Sequence, residues 1–265
     1  MATFIVTSVD DETDDDTSLS LREALALANA DPDADRITFA EELSGRTLTL
    51  AMGQLEIASD LIIDGDLDDD ATPDITLVSG DASRVFDILS GAVTLDGLTI
   101  TGGNPTSAPQ GFFNPFEDTL NINFDQAGGG IRSLTEDTLT ITNTAITDNR
   151  GEGGGGILSL GALRLENVDL LRNDAVRDDG PNSSGTVGDG GGVWAFGDLF
   201  ARNVRIDENS ATDTGGGISM SRGVLELAES SVSGNMADFR GGGIFQTGSL
   251  GSTLDAVTIA ENTSR

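Results

Sequence analysis

Along most of this chain apolar and polar residues alternate in short runs, and the runs are separated by glycine triplets. The triplets read GGGIRSL from Gly128, GGGILSL from Gly154, GGGVWAF from Gly190, GGGISMS from Gly215 and GGGIFQT from Gly241. Each is followed by a second alternating stretch that ends on asparagine, as in LTITNTAITDN, LRLENVDLLRN and LFARNVRIDEN. Alternation with period two predicts strands, and a return about every 25 residues predicts a repeat architecture. Three adjacent glycines exclude a helical solenoid, because each costs a helix about 1 kcal/mol. Three short strands with tight corners take up roughly 22–27 residues, which is one turn of a parallel β-helix.

In that arrangement Gly154, Gly190, Gly215 and Gly241 are corner residues that accept positive φ. Ile131, Ile157, Val193, Ile218 and Ile244 then point inward and stack. Asn149, Asn173, Asn209 and Asn235, with Asn262 after them, form a column at a second corner and are expected to bond backbone groups as an amide ladder. The unit VTLDGLTITGGN (Val93–Asn104) has Gly97 and Gly103 where later turns carry Asn. ASDLIIDGDL, DITLVSG and RVFDILSG read as earlier, less regular turns.

The start of the chain breaks the pattern. In SLREALALANADP, Ser20 and Glu23 stand three apart ahead of an apolar run, which is a capping box. Leu21, Ala24, Leu25 and Ala28 fall on one helical face, and Asp31-Pro32 ends the helix. The expected organisation is a cap module over 1–57, with an amphipathic helix over 20–30, followed by coils over 58–265. The helix is expected to cover the open first turn. The last residues follow a strand with no closing turn, so further domains of the same polypeptide are expected.

Composition narrows the function. The 265 residues include 45 acidic and 14 basic ones, for a net charge of −31, and every basic residue is Arg. No cationic face is available for phosphates, which excludes nucleic acid as a partner. Cys is absent, so disulfides are excluded. No basic, apolar leader is visible at the N-terminus, and no run is long enough for a membrane span.

SLREAL after an acidic loop, followed by ANADPDADRITF, resembles the N-terminal module of bacterial surface proteins named for the motif Cys-Ser-Leu-Arg-Glu-Ala. Leu19 stands where that family has Cys. The GGGI and terminal-Asn units are similar to the Gly-Gly-Ala-Ile and Phe-x-x-Asn repeats of polymorphic outer-membrane proteins. Together these resemblances imply an all-β, right-handed parallel β-helix of the pectin-lyase-like kind in a secreted or cell-surface setting. They suggest an adhesin-like scaffold touching a glycan or a surface or matrix protein. A calcium-assisted polysaccharide lyase or epimerase and a purely structural spacer are the alternatives.

Candidate chemistry is sparse. A β-eliminating lyase needs a base near the acidic C–H and a cation beside the carboxylate. His, Lys and Tyr are absent, which leaves Arg as base, and the Gly-His-Gly and Arg-x-Lys elements of polygalacturonase-like hydrolases cannot occur. Asp178-Asp179 is an adjacent acid pair on a loop; no catalytic residue is assigned. Asp64, Asp66 and Asp68 stand at alternate positions with Asp70 and Asp74 nearby, a spacing that can wrap Ca²⁺, or simply an acidic corner loop. Trp194 and Phe245 are expected on the outer face about 10 Å apart, two rungs of about 4.8 Å, as a platform for sugar rings unless an insertion covers them. Two insertions, Gly103–Ala127 and Asp174–Asp189, carry Phe112, Phe113, Phe116 and Arg177 as further ligand-binding candidates, with a local apolar mini-core as the other reading of the phenylalanines.

Overall fold

The computed structural model describes residues 1–14, 17–80, 82–106, 125–177 and 188–265. The chain is predominantly β, with long parallel sheets. It passes in turn through three of them, of 14, five and seven strands, and returns to each one repeat later. Registers are continuous where the glycine repeats are regular. Leu139 pairs with Leu163, Leu163 with Leu199, and Leu199 with Leu225 in the 14-stranded sheet. In the seven-stranded sheet Ile131, Ile157, Val193, Ile218 and Ile244 stand in one register column. The first four are fully buried and Ile244 is partly so, within one hydrophobic cluster that extends from Val6 to Val232.

Three bends per turn need the left-handed backbone conformation. Gly154 has φ +59°, and a Cβ there would lie 2.3 Å from the Ile157 carbonyl oxygen. Alanine would meet both strain and collision at that point. The second bend falls inside the long strands at Asn143, Asn167 and Asn203, with φ of 49°, 55° and 50°. A third precedes the buried asparagines, at Asp148, Arg172 and Glu208. Each non-glycine residue held there costs about 1 kcal/mol or more. Asparagine is the residue best suited to the second bend after glycine.

The Asn149–Asn262 column accounts for the backbone groups at the third bend. Asn149 Nδ2 donates to Asn173 Oδ1 at 3.0 Å, Asn173 Nδ2 to Asn209 Oδ1 at 3.0 Å, and Asn209 Nδ2 to Asn235 Oδ1 at 2.9 Å. The same oxygens accept the preceding asparagine's backbone N–H. Each Nδ2 also donates to a carbonyl of the previous turn, such as Ile146 O for Asn173. Asn173, Asn209 and Asn235 therefore each make four side-chain bonds, the full capacity of the amide, while buried. The residue separations are 24, 36 and 26; the longest spans the second insertion without breaking the chain of amides.

At the N-terminal end one α-helix, Leu21–Ala30, starts on the Ser20–Glu23 capping box, both of whose hydrogen bonds form. Its buried face is Leu21, Ala24, Leu25 and Ala28. That face packs against strands Thr3–Val6, Asp35–Phe39 and Leu55–Ile57, which lie at or beside sheet edges. Arg22 ties the helix to the acidic loop through two bonds to Asp11, at 2.6 and 3.0 Å, and to the Gly53 carbonyl at 2.8 Å.

The two asparagine columns predict unequal costs. Asn173→Ala leaves two Asn149 donors without partners and removes the amide bond to the Ile146 carbonyl, and is expected to cost about 3 kcal/mol or more. Asn167→Ala, at an exposed bend, is expected to cost about 1 kcal/mol, and Asn167→Gly less than that. Urea denaturation measures both; an Asn173→Ala loss no larger than that of Asn167→Ala would refute the ladder's role.

Candidate functional site

The outer face of the seven-stranded sheet carries the best-formed site. Residues Glu56, Asp87, Arg132, Leu158, Trp194, Ser219 and Phe245 occupy one outward register column, in that order along the stack. Strand alternation puts them there, between the inward Phe86 and Ile88 or Ile131 and Ser133 and their equivalents. The column changes character along its length. It is charged at the first three turns and apolar at the next two.

Trp194 belongs to the apolar part and is a correction to the platform expected from sequence. It lies outside the main core but is 1% exposed, packed with Ala127, Leu158 and Phe196. The Phe196 ring lies 4.9 Å away, tilted by 52°. Ala127, where the longer insertion rejoins the sheet, helps to close this satellite cluster, so the indole presents no open face. Phe245 is only partly buried, two turns on. Arg177 is exposed and its backbone N–H donates to the Thr212 hydroxyl at 2.7 Å. Phe112, Phe113, Phe116, Asp178 and Asp179 lie outside the described residues.

The charged part floors a cleft of about 1140 Å³. Leu25, Ala26 and Asn29 of the helix form one wall, residues 51–54 another, and Pro105 and Asp125 flank the far side. Asp87, 2% exposed, is the hub. Its two oxygens take the Arg132 fork at 2.8 and 2.7 Å, and Gln54 Nε2 donates to it at 2.8 Å. Gln54 Oε1 in turn accepts from Arg84 at 2.5 Å, and its amide also reaches Glu56 at 3.2 Å. Arg84 is 1% exposed and donates to the Asp125 and Ala127 carbonyls. Burial first, and the nearby Arg132 second, lower its pKa to about 10, so it stays charged at neutral pH. Its Nε–H finds no acceptor among the described residues. The alternation that turns Trp194 outward does the same for Arg132, whereas Arg84, Asp87 and Gln54 were not singled out from sequence. The available signal was a charged residue between two apolar ones in successive short strands, at Glu56 and Asp87.

The aspartate loop between strands Leu61–Asp64 and Ile75–Ser79 closes differently from the 1, 3, 5 spacing. Asp66, Asp68 and Asp74 bring carboxylate oxygens within 4.8 Å of one another, near enough for one hard cation. Asp64 instead pairs with Arg36, and Asp70 accepts from Thr72. The reason is the curl of the loop: Asp66, 8% exposed, accepts the Asp70 and Ala71 N–H groups at 3.1 and 3.0 Å, and Asp74 accepts from Leu67 at 2.8 Å. Burial, followed in smaller part by Asp96 and Asp70, raises the Asp66 pKa against the lowering effect of those bonds.

No protein-family model, curated protein or solved structure matches this chain. The functional reading therefore rests on its own residues. Among the described residues no helix is long and apolar enough to cross a membrane.

Two outcomes follow. Asp66 and Asp74 already close their loop through backbone donors, so chelation with EGTA is expected to leave the unfolding temperature unchanged, whereas Asp66→Ala lowers it; a fall on chelation would show that an ion completes the loop. Asp189 has its pKa raised to about 6, chiefly by burial, from an ordinary 3.8. An acid raised in the folded state opposes folding when ionised, and that penalty fades as pH falls through about 6 towards 3.8. Asp189→Asn keeps the acceptor for Thr214 and is expected to be more stable than the parent at neutral pH, with the gap closing near pH 4. Thermal unfolding of both proteins across that range checks it, and a gap independent of pH would refute it.

Proposed function

We propose that the chain is a right-handed parallel β-helix whose first turn is covered by the Leu21–Ala30 helix. In this reading it is a non-catalytic scaffold of a secreted or cell-surface bacterial protein, presenting its loop-bearing face to a glycan or matrix partner. The observation that carries the non-catalytic part is where the polar side chains go. Outside the Asp87 cluster, whose groups bind one another, they pair between adjacent turns instead of converging on a reacting centre. Arg150 meets Asp174 at 3.0 Å, Arg172 meets Asp148 at 2.8 Å, and Arg202 meets Glu229 at 2.7 Å, each partner one turn away. The exposed asparagines do the same: Asn203 donates to Asn167, Asn167 to Asn143, and Asn143 to Asp96.

A base for proton abstraction is the weak point of the lyase or epimerase alternative. The sequence has no His, Lys or Tyr. Arg84, the arginine whose pKa is lowered to about 10, still holds its proton at neutral pH and is almost fully enclosed. Uronate polymers incubated with the protein and calcium are expected to develop no ultraviolet absorbance from unsaturated ends. Sustained turnover that stops on chelation would overturn the scaffold reading.

A further inference from the structure

We propose that the cleft over Glu56, Asp87 and Arg132 binds an uncharged saccharide. A binding cleft of this kind is concave, has an apolar wall, and holds a few polar groups in fixed orientation. All three conditions are met. Met52, 54% exposed, and the exposed Ala26 supply apolar surface against which the C–H face of a ring can lie. The polar floor is made of planar side chains, each held by its neighbour. Gln54 bridges Asp87, Glu56 and Arg84, while Arg132 grips Asp87 with two bonds.

A sugar hydroxyl donates one hydrogen bond and accepts others, so its match is a surface offering both functions at fixed positions. The cleft lining offers carboxylates as acceptors, guanidiniums as donors and amides as both.

Charge decides between neutral and acidic sugars. Arg22, Arg84 and Arg132 among the lining residues are balanced by Glu56, Asp87 and Asp125. Around this balanced patch the whole chain carries −31. An acidic polymer would meet no local excess of positive charge and a repulsive field outside it. An uncharged polyol meets neither obstacle. The cleft volume of about 1140 Å³ accommodates several sugar rings, not one.

The inference is independent of where the protein resides and deepens the glycan part of the proposed function, on which it rests. Absence of sugar binding would remove the glycan partner and leave the non-catalytic scaffold intact, and catalysis on uronates would remove the non-catalytic reading without touching the cleft. The test is binding of the full chain to an array of neutral and acidic glycans, followed by calorimetry with the neutral oligosaccharides that score, beside hexagalacturonate at low salt. A neutral oligosaccharide is expected to bind, with hexagalacturonate at least tenfold weaker. Gln54→Ala, which removes the bridging amide, is expected to weaken binding at least tenfold. Glu56→Ala and Met52→Ala change exposed side chains and are expected to weaken binding about threefold without altering the unfolding temperature, so a folding defect in Gln54→Ala does not blunt the test. Binding to acidic glycans alone, binding to none, or neutral binding unchanged in Glu56→Ala and Met52→Ala would each overturn the proposal.

Discussion

The structure depends on a hydrogen bond that one turn cannot make for itself. Each buried asparagine needs the next one, because its backbone N–H and its amide both donate to the following Oδ1. A turn in isolation would bury an amide and several backbone groups unpaired, each at a cost of about 1–3 kcal/mol. Stacking removes that cost and, in the same step, completes the parallel ladders and the column of isoleucine and valine. Repeats of this kind are stable only as neighbours. Positive φ at residues such as Arg172 and Glu208 is held in place by the same cross-turn bonds.

This constraint explains the composition. Residues inside the coil are apolar or small, which leaves the outward positions and the third bend to absorb the charge. Acidic residues then share the outer surface with arginines one turn away. Exposed pairs of this type contribute at most about 1 kcal/mol each, so they position side chains more than they stabilise the fold. The buried cluster at Asp87 differs in kind. Two guanidiniums and a carboxylate withdrawn from water are costly unless their bonds are complete. Arg84 has an Nε–H without an acceptor among the described residues, so its bonds there are incomplete.

One sheet face therefore has two fates along its length. Around Trp194 the outward residues are large and apolar, and neighbouring side chains close over them. Around Asp87 they are charged, and the helix and residues 51–54 stand back to leave a cleft. The alternation that directs both sets outward is identical; the difference lies in what packs on top. Outward direction and solvent exposure are separate properties, and the Trp194 platform failed on that distinction.

Much of the architecture was legible without coordinates because its causes are local. Glycine triplets set the corners through their lack of a Cβ, period-two alternation set the inward column, and the Ser20–Glu23 spacing set the helix start. The candidate sites were less legible because they are assembled from distant segments. Asp74 reaches Asp66 only through the curl of the loop, while Asp64 is drawn to Arg36. Gln54, the Arg84–Asp87 pair and Arg132 come from three successive turns and meet because register stacks them. Sequence by itself determined the glycine corners, which residues point inward and how often the chain returns, since these follow from backbone sterics and side-chain period. Tertiary structure decided which carboxylates share a loop, through the curl of that loop, and which outward side chains are covered and where a cleft opens, since these last depend on contacts between turns, about 30 or more residues apart at Asp87.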